Sequence, residues 1–163
     1  MKKIILFSIA LIMISCNNTS KEVDEKTGPT NADRIQALYD AFAVGDVEAV
    51  LGSFTEDIVW NEAENFIYAD GNPYVGRDAV ATGVFQRVGD EWEYWNLADT
   101  KIYNVESDKV LAMGRYQAKN KATEKLLDAQ FVHFFTFRDT LVASFQQYAD
   151  TKQTSEVVMA DEE

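Results

Sequence analysis

Ile35, Leu38, Tyr39 and Phe42 recur at three- and four-residue intervals, and Gly45 follows where a helix C-terminal glycine sits, so the pattern predicts a first helix beginning near Ala32. Asp46 is placed to cap a second, short helix whose apolar face is Val47, Val50, Leu51 and Phe54. Ile58, Val59 and Trp60 read as a strand. Residues 65–76 hold the loop-forming run Asp70-Gly71-Asn72-Pro73, and Val80, Val84 and Val88 space as a third helix weakened by Gly83. After Gly89 the period shortens. Residues 92–105, 109–118, 126–137 and 141–149 are rich in β-branched and aromatic side chains and are separated by short polar segments, which predicts four long strands in a meander. Helices followed by a run of strands imply an α+β fold, with three N-terminal helices packed on one face of a curved antiparallel sheet.

The last two strands allow a finer expectation. If Asp139-Thr140 is a two-residue turn, Arg138 faces Leu141, which sets His133 opposite Gln146, Phe131 opposite Tyr148 and Ala129 opposite Asp150. Directly paired side chains share a face. On this register one face carries Phe131, His133, Phe135, Gln146, Tyr148 and Asp150, and the other carries Val132, Phe134, Ala143 and Phe145. A one-residue slip would exchange the partners.

The ends of the 163-residue chain read differently from its middle. MKKIILFSIALIMISC has two lysines, an apolar stretch at 4–14 too short to span a bilayer as a stable helix, and then Ser15-Cys16. Met13-Ile14-Ser15-Cys16 resembles a bacterial lipobox. The resemblance implies that a lipoprotein signal peptide, residues 1–15, is removed and that Cys16 is lipidated. It places the protein in the bacterial cell envelope, and Asn17 favours the outer membrane, facing periplasm or cell surface. Residues 16–31 are polar and read as a flexible tether, 32–155 as the folded domain and 156–163 as an acidic tail. Cys16 is the only cysteine, so no disulfide can form within the chain and the domain rests on its core. Without the leader, 13 basic residues stand against 27 acidic ones, a formal charge of −14. Such a surface repels nucleic acid and anionic headgroups, which excludes nucleic-acid binding and leaves the lipid anchor as the membrane contact.

Three segments, LYDAFAVGDVEAVLGSFTEDIVW, YVGRDAV and FVHFFTFRDTLVASFQQYADT, resemble the SnoaL-like branch of the nuclear transport factor 2-like superfamily, which also contains ketosteroid isomerase. The resemblance covers about residues 32–151. It implies a cone, a strongly bent sheet around a pocket closed by helices, and a homodimer through the sheet. In ketosteroid isomerase a general base follows the second helix, and Glu62 matches it. An acid of the oxyanion hole lies before the aromatic run of the penultimate strand, and His133 matches it. The position of the isomerase's tyrosine donor holds Leu38 here, with Tyr39 next to it.

His133, the only histidine, lies in the apolar run FVHFF and fits either a packed core or a pocket. The hairpin parity and the resemblance both favour the pocket. Asp150 fits an orienting partner reached through Gln146 or a water, or an ordinary charge at a strand end. Glu62 fits a base or a solvated loop carboxylate. Tyr39, Trp60, Phe131, Gln146 and Tyr148 are the expected ligand contacts, and Trp92 and Trp95 fit pocket or core alike. Arg115 suits a structural ion pair better than a ligand. With no second histidine and no carboxylate at a diagnostic spacing, no metal site is expected, and no cofactor. Two functions follow: a module that binds a small, mostly apolar molecule, or a cofactor-free isomerase, cyclase or hydrolase in which Glu62, His133 and Asp150 do acid–base work.

Overall fold

A reciprocal cap starts the folded chain. In the computed structural model, which describes residues 28–160, the Thr30 hydroxyl accepts the Asp33 amide and the Asp33 carboxylate accepts the Thr30 amide at 2.8 Å. They open helix α1 (Asn31–Ala43), which Gly45 ends at a φ of 75°. The expected leader, Cys16 and residues 16–27 of the tether lie outside the described residues. Asp46 caps α2 (Val47–Gly52) by accepting the Ala49 amide at 3.0 Å, as its position predicted.

Strand β1 (Phe54–Asn61) follows at once, then a 3₁₀ turn (Ala69–Gly71) and the two-residue strand β2 (Tyr74–Val75). The third predicted helix is one helical run with a defect: α3 (Arg77–Val80), a π-helical turn (Ala81–Phe85) and α4 (Gln86–Glu91). The four long strands are β3 (Trp92–Glu106), β4 (Lys109–Asn120), β5 (Leu126–Arg138) and β6 (Leu141–Ala149). They join β1 and β2 in one six-stranded sheet of order β2-β1-β6-β5-β4-β3, antiparallel except for the parallel pair β1–β6.

The sheet is bent by bulges, which kink a strand and strengthen its twist. β3 shifts register against β4 between Ala98 and Lys101, where Asp99 takes a left-handed φ of 53°. Gly114 faces this bend. A Cβ there would stand 2.7 Å from the Ala98 carbonyl and 2.9 Å from the Phe131 ring, so only glycine lets the strands close to this distance.

A second bulge overturns the expected hairpin register. The turn itself is as predicted, with Arg138 opposite Leu141, but Ala143 is an extra residue in β6 and every later pair moves by one. His133 therefore pairs with Gln147, not Gln146, and Tyr148 pairs with Val132. The inner face holds Phe131, His133 and Phe135 with Phe145 and Gln147, while Gln146 and Tyr148 turn to the outer face and Tyr148 is 60% exposed. The chain does not end in a tail at 156: helix α5 (Thr151–Val158) buries Thr154 and Val157 against the sheet. One turn of that helix lies beyond the expected domain boundary because its apolar face is only two residues long, too short to register as a period.

Candidate functional site

Eight elements, α1, the π-helical turn, α4 and all the strands but β2, converge on one cavity of about 60 Å³ inside the cone. Helix α1 supplies Leu38, Tyr39 and Phe42, and the end of β1 and the loop after it supply Trp60, Glu62, Phe66 and Tyr68. The π-helical turn inserts Val84 and Phe85. Tyr116 comes from β4, His133 and Phe135 from β5, and Phe145 and Gln147 from β6. At about 10–15 Å³ for one water, the space takes about four to six water-sized groups. Most of the wall is aromatic: Trp60 stacks on Phe145 with centroids 3.6 Å apart and meets Phe85 edge-on at 5.6 Å.

The polar groups fall into two sets. On one side is Glu62, 2% exposed, whose Oε1 accepts the Trp60 indole N–H at 2.6 Å while Oε2 is buried without a partner. Asn72 pins its backbone, accepting the Glu62 amide at 2.9 Å and donating to the Glu62 carbonyl at 2.8 Å. Burial pushes the carboxyl up to about 7, against a smaller downward pull from the Trp60 hydrogen bond and the charge of Arg87.

On the other side is a chain of three rings. Tyr39 Oη lies 2.7 Å from His133 Nδ1, and Tyr116 Oη lies 2.5 Å from His133 Nε2. Gln147 donates from Nε2 to Tyr116 Oη at 2.9 Å, and its Oε1 accepts the Ala63 amide at 3.1 Å. Phe131 stacks on both His133 (4.2 Å) and Tyr116 (4.5 Å) and so fixes their planes. Burial lowers His133 to about 3, which keeps the imidazole neutral, and raises both tyrosines far above their ordinary value. The site thus pairs a buried carboxyl that titrates near neutrality with hydroxyl donors held in place by a neutral ring.

The model of the SnoaL-like domain matches residues 35–145, most of the described chain. The chain belongs to the SnoaL-like domain family. Solved structures agree on the fold. An NTF2-like protein of Burkholderia thailandensis superposes with a TM-score of 0.75 at 23% identity, covering 81% of this chain and 99% of that one. A candidate polyketide cyclase of Pseudomonas putida gives 0.70 at 18% identity, covering 81% and 100%. TerC, crystallised with polyporic acid, gives 0.69 at 23% identity, covering 78% and 96%. No curated protein sequence matches the chain.

Within this SnoaL-like domain the expected site residues divide. Glu62, His133, Tyr39 and Trp60 line the cavity together. Phe131 does not reach it; it backs the wall behind His133 and Tyr116. Gln146, Tyr148 and Asp150 lie outside because the Ala143 bulge reverses the face of β6 after the turn. Asp150 cannot orient His133. Its side chain caps α5 by accepting the Gln153 amide at 3.1 Å, and both imidazole nitrogens are held by tyrosines. Trp95 lines the cavity, while Trp92 packs behind it and donates to Tyr68 Oη at 2.8 Å. Arg115 pairs with Asp128 at 2.7 Å. Among the described residues no three His, Cys, Asp or Glu side chains gather as metal ligands.

Sequence reasoning missed Tyr116 and Gln147. Tyr116 has a signal in hindsight: on β4 it shares its parity with Val110, Ala112 and Ala118, all buried, so a polar-tipped ring was bound to point inward. Gln147 has none without knowledge of the bulge.

Proposed function

We propose that this SnoaL-like domain takes a small, mostly apolar molecule into the cavity and moves a proton on it, using protein groups alone. Glu62 is the base. A C–H beside a carbonyl gives its proton to Oε2, the bonding pair moves toward the carbonyl oxygen, and the one free hydroxyl of the Tyr39–His133–Tyr116 chain holds the developing negative charge. The proton then returns to the same or a neighbouring carbon, which completes an exchange or an isomerisation. The observation that carries this reading is the unpartnered Glu62 Oε2, buried in the same cavity as that chain. Leaving such an oxygen unsatisfied costs about 1–3 kcal/mol or more, which a merely structural carboxyl has no reason to bear. A candidate polyketide cyclase among the structural neighbours, and TerC, crystallised with polyporic acid, support an organic ligand. The small volume favours a second reading, retention of a ligand without chemistry.

Exchange of butanone α-protons in D₂O, followed by NMR with the purified full chain, separates the two. The rate is expected to rise with pH to a plateau above about 7, as Glu62 ionises, and to vanish in Glu62→Gln. Exchange that survives this substitution removes Glu62 from the reaction, and butanone retained without exchange leaves the binding reading. The lipid anchor at Cys16 and the envelope location remain part of the proposal, supported by the lipobox-like ending of the leader. Exposed Met113 and Tyr148, in one row across the outer face through Val132, support a homodimer through the sheet. Its test is the molecular mass in solution.

A further inference from the structure

Phe85 reaches the cavity by an irregular route. Val80, five residues before it, faces the core with no exposed surface. In an unbroken α-helix, at about 100° per residue, Phe85 would stand about 140° round the axis from Val80. The turn between them is π-helical, Ala81–Phe85, and is closed by the Gln86 amide on the Ala81 carbonyl. Such a bond spans five residues instead of four, so residues five apart come nearly into line and Phe85 swings to the Val80 side. Gly83 makes room for the turn. A Cβ there would stand 2.1 Å from the Tyr74 ring, and that ring is tied down by its hydroxyl, which donates to the Tyr68 carbonyl at 2.7 Å.

What the turn delivers is a plug. Every hydroxyl, carboxyl, side-chain amide and imidazole of the cavity wall is buried, while its half-buried members, Phe42, Phe85, Val88, Trp95 and Leu97, are apolar and mark the rim. Three of these carry rings. Trp95 packs sideways on Trp92 and Tyr116, at 4.7 and 5.0 Å. Phe85 spans rim and interior: it meets Phe42 at 6.1 Å and, edge-on at 5.6 Å, the Trp60 indole that donates to Glu62. Its ring therefore stands between solvent and the carboxyl, beside a space for about four to six water-sized groups.

We propose that Phe85 is the specificity-determining residue of this cavity: its ring, aimed by the π turn, limits the ligand to a compact carbonyl compound of about butanone's size and shuts out one whose chain carries a ring. The inference rests on the cavity being the ligand site, as proposed above, and on nothing about proton transfer.

The test compares butanone with benzylacetone, which is butanone with a phenyl group on the carbon farthest from the carbonyl, by ligand-observed NMR titration of the purified full chain. The parent is expected to bind benzylacetone at least about ten-fold more weakly than butanone. Phe85→Ala removes a ring of the size that benzylacetone adds and should reverse this preference, and Phe85→Leu should shift it the same way by less. Phe42→Ala opens the rim but leaves Phe85 against Trp60, and should keep the parent's preference. Gly83→Ala touches no ligand, yet should narrow the preference by driving the turn, and Phe85 with it, off Tyr74. A parent that takes both ketones alike overturns the proposal. So do an unchanged preference in Phe85→Leu or Phe85→Ala, a reversal in Phe42→Ala, the parent's full preference in Gly83→Ala, or binding of neither ketone by any of these proteins. Phe85→Leu keeps the result readable should Phe85→Ala fail to fold. A reversed preference without proton exchange sinks the reaction and leaves Phe85 in its role; exchange of both ketones by the parent at equal rates does the opposite.

Discussion

Glu62 is less comfortable folded than unfolded. Its carboxyl titrates near 7 in the folded chain against an ordinary 4.5, so between those values the folded state holds more protons than the unfolded one. The contribution to stability is full below about 4.5 and is lost as pH rises through about 7. Glu62→Gln removes that loss. At about pH 8 the variant should exceed the parent in thermal stability by on the order of 2–3 kcal/mol, with little difference near pH 4. Thermal denaturation at both pH values checks this, and a variant no more stable at the higher pH would show that Glu62 is better solvated than its burial implies. His133 has the opposite sign. Its folded value of about 3 lies below the ordinary 6.5, so its contribution is full above 6.5 and is lost as pH falls toward 3. Four of the cavity's residues, Tyr39, Trp60, Glu62 and His133, were legible in the sequence: His133 as an ionisable ring in an apolar run, Glu62 through the family resemblance, and Tyr39 and Trp60 as large aromatics on apolar elements. Tyr116 was overshadowed by its charged neighbour Arg115, which faces the other way and pairs with Asp128.

At the scale of elements, curvature is made at particular points. Gly114 lets β4 close on the Asp99 bulge of β3 and on Phe131, the ring that supports both His133 and Tyr116. Gly114→Val should cost about 1–3 kcal/mol or more, since a backbone carbonyl at 2.7 Å cannot give way as a flexible side chain can. Gly89→Ala, in α4 with nothing within 4 Å of the added carbon, should be neutral or stabilising by up to about 1 kcal/mol. Chemical denaturation of the two variants compares them directly, and equal costs would show that the bend does not depend on Gly114. The helices α1 and α2 and the four strands were readable because each repeats its period over enough residues. The Ala143 bulge was not, because one inserted residue leaves no mark on composition or periodicity, yet it decides which of Gln146 and Gln147 meets His133.

Over the whole molecule, charge and anchor make separate statements. No helix among the described residues is long and apolar enough to cross a membrane. Residues 16–163 carry a formal charge of −14 and so have no net electrostatic attraction to anionic lipid, and the proposed membrane attachment would depend on acylation of Cys16. The chain expressed with its leader in a bacterium should partition into detergent and resist release by high salt, whereas Cys16→Ser should stay in the aqueous phase. Identical partitioning of the two would remove the anchor.

Sequence alone determined the order of elements, the α+β class, the family resemblance with the candidacy of Glu62 that it carries, and the candidacy of His133, because periodicity, capping residues, short motifs and an ionisable group in an apolar run are all local. Tertiary structure alone decided that Tyr116 and Gln147 complete the site and that Asp150, Gln146 and Tyr148 do not. Those choices depend on a single bulge and on side chains up to 94 positions apart meeting in one cavity, and no local pattern encodes such a meeting.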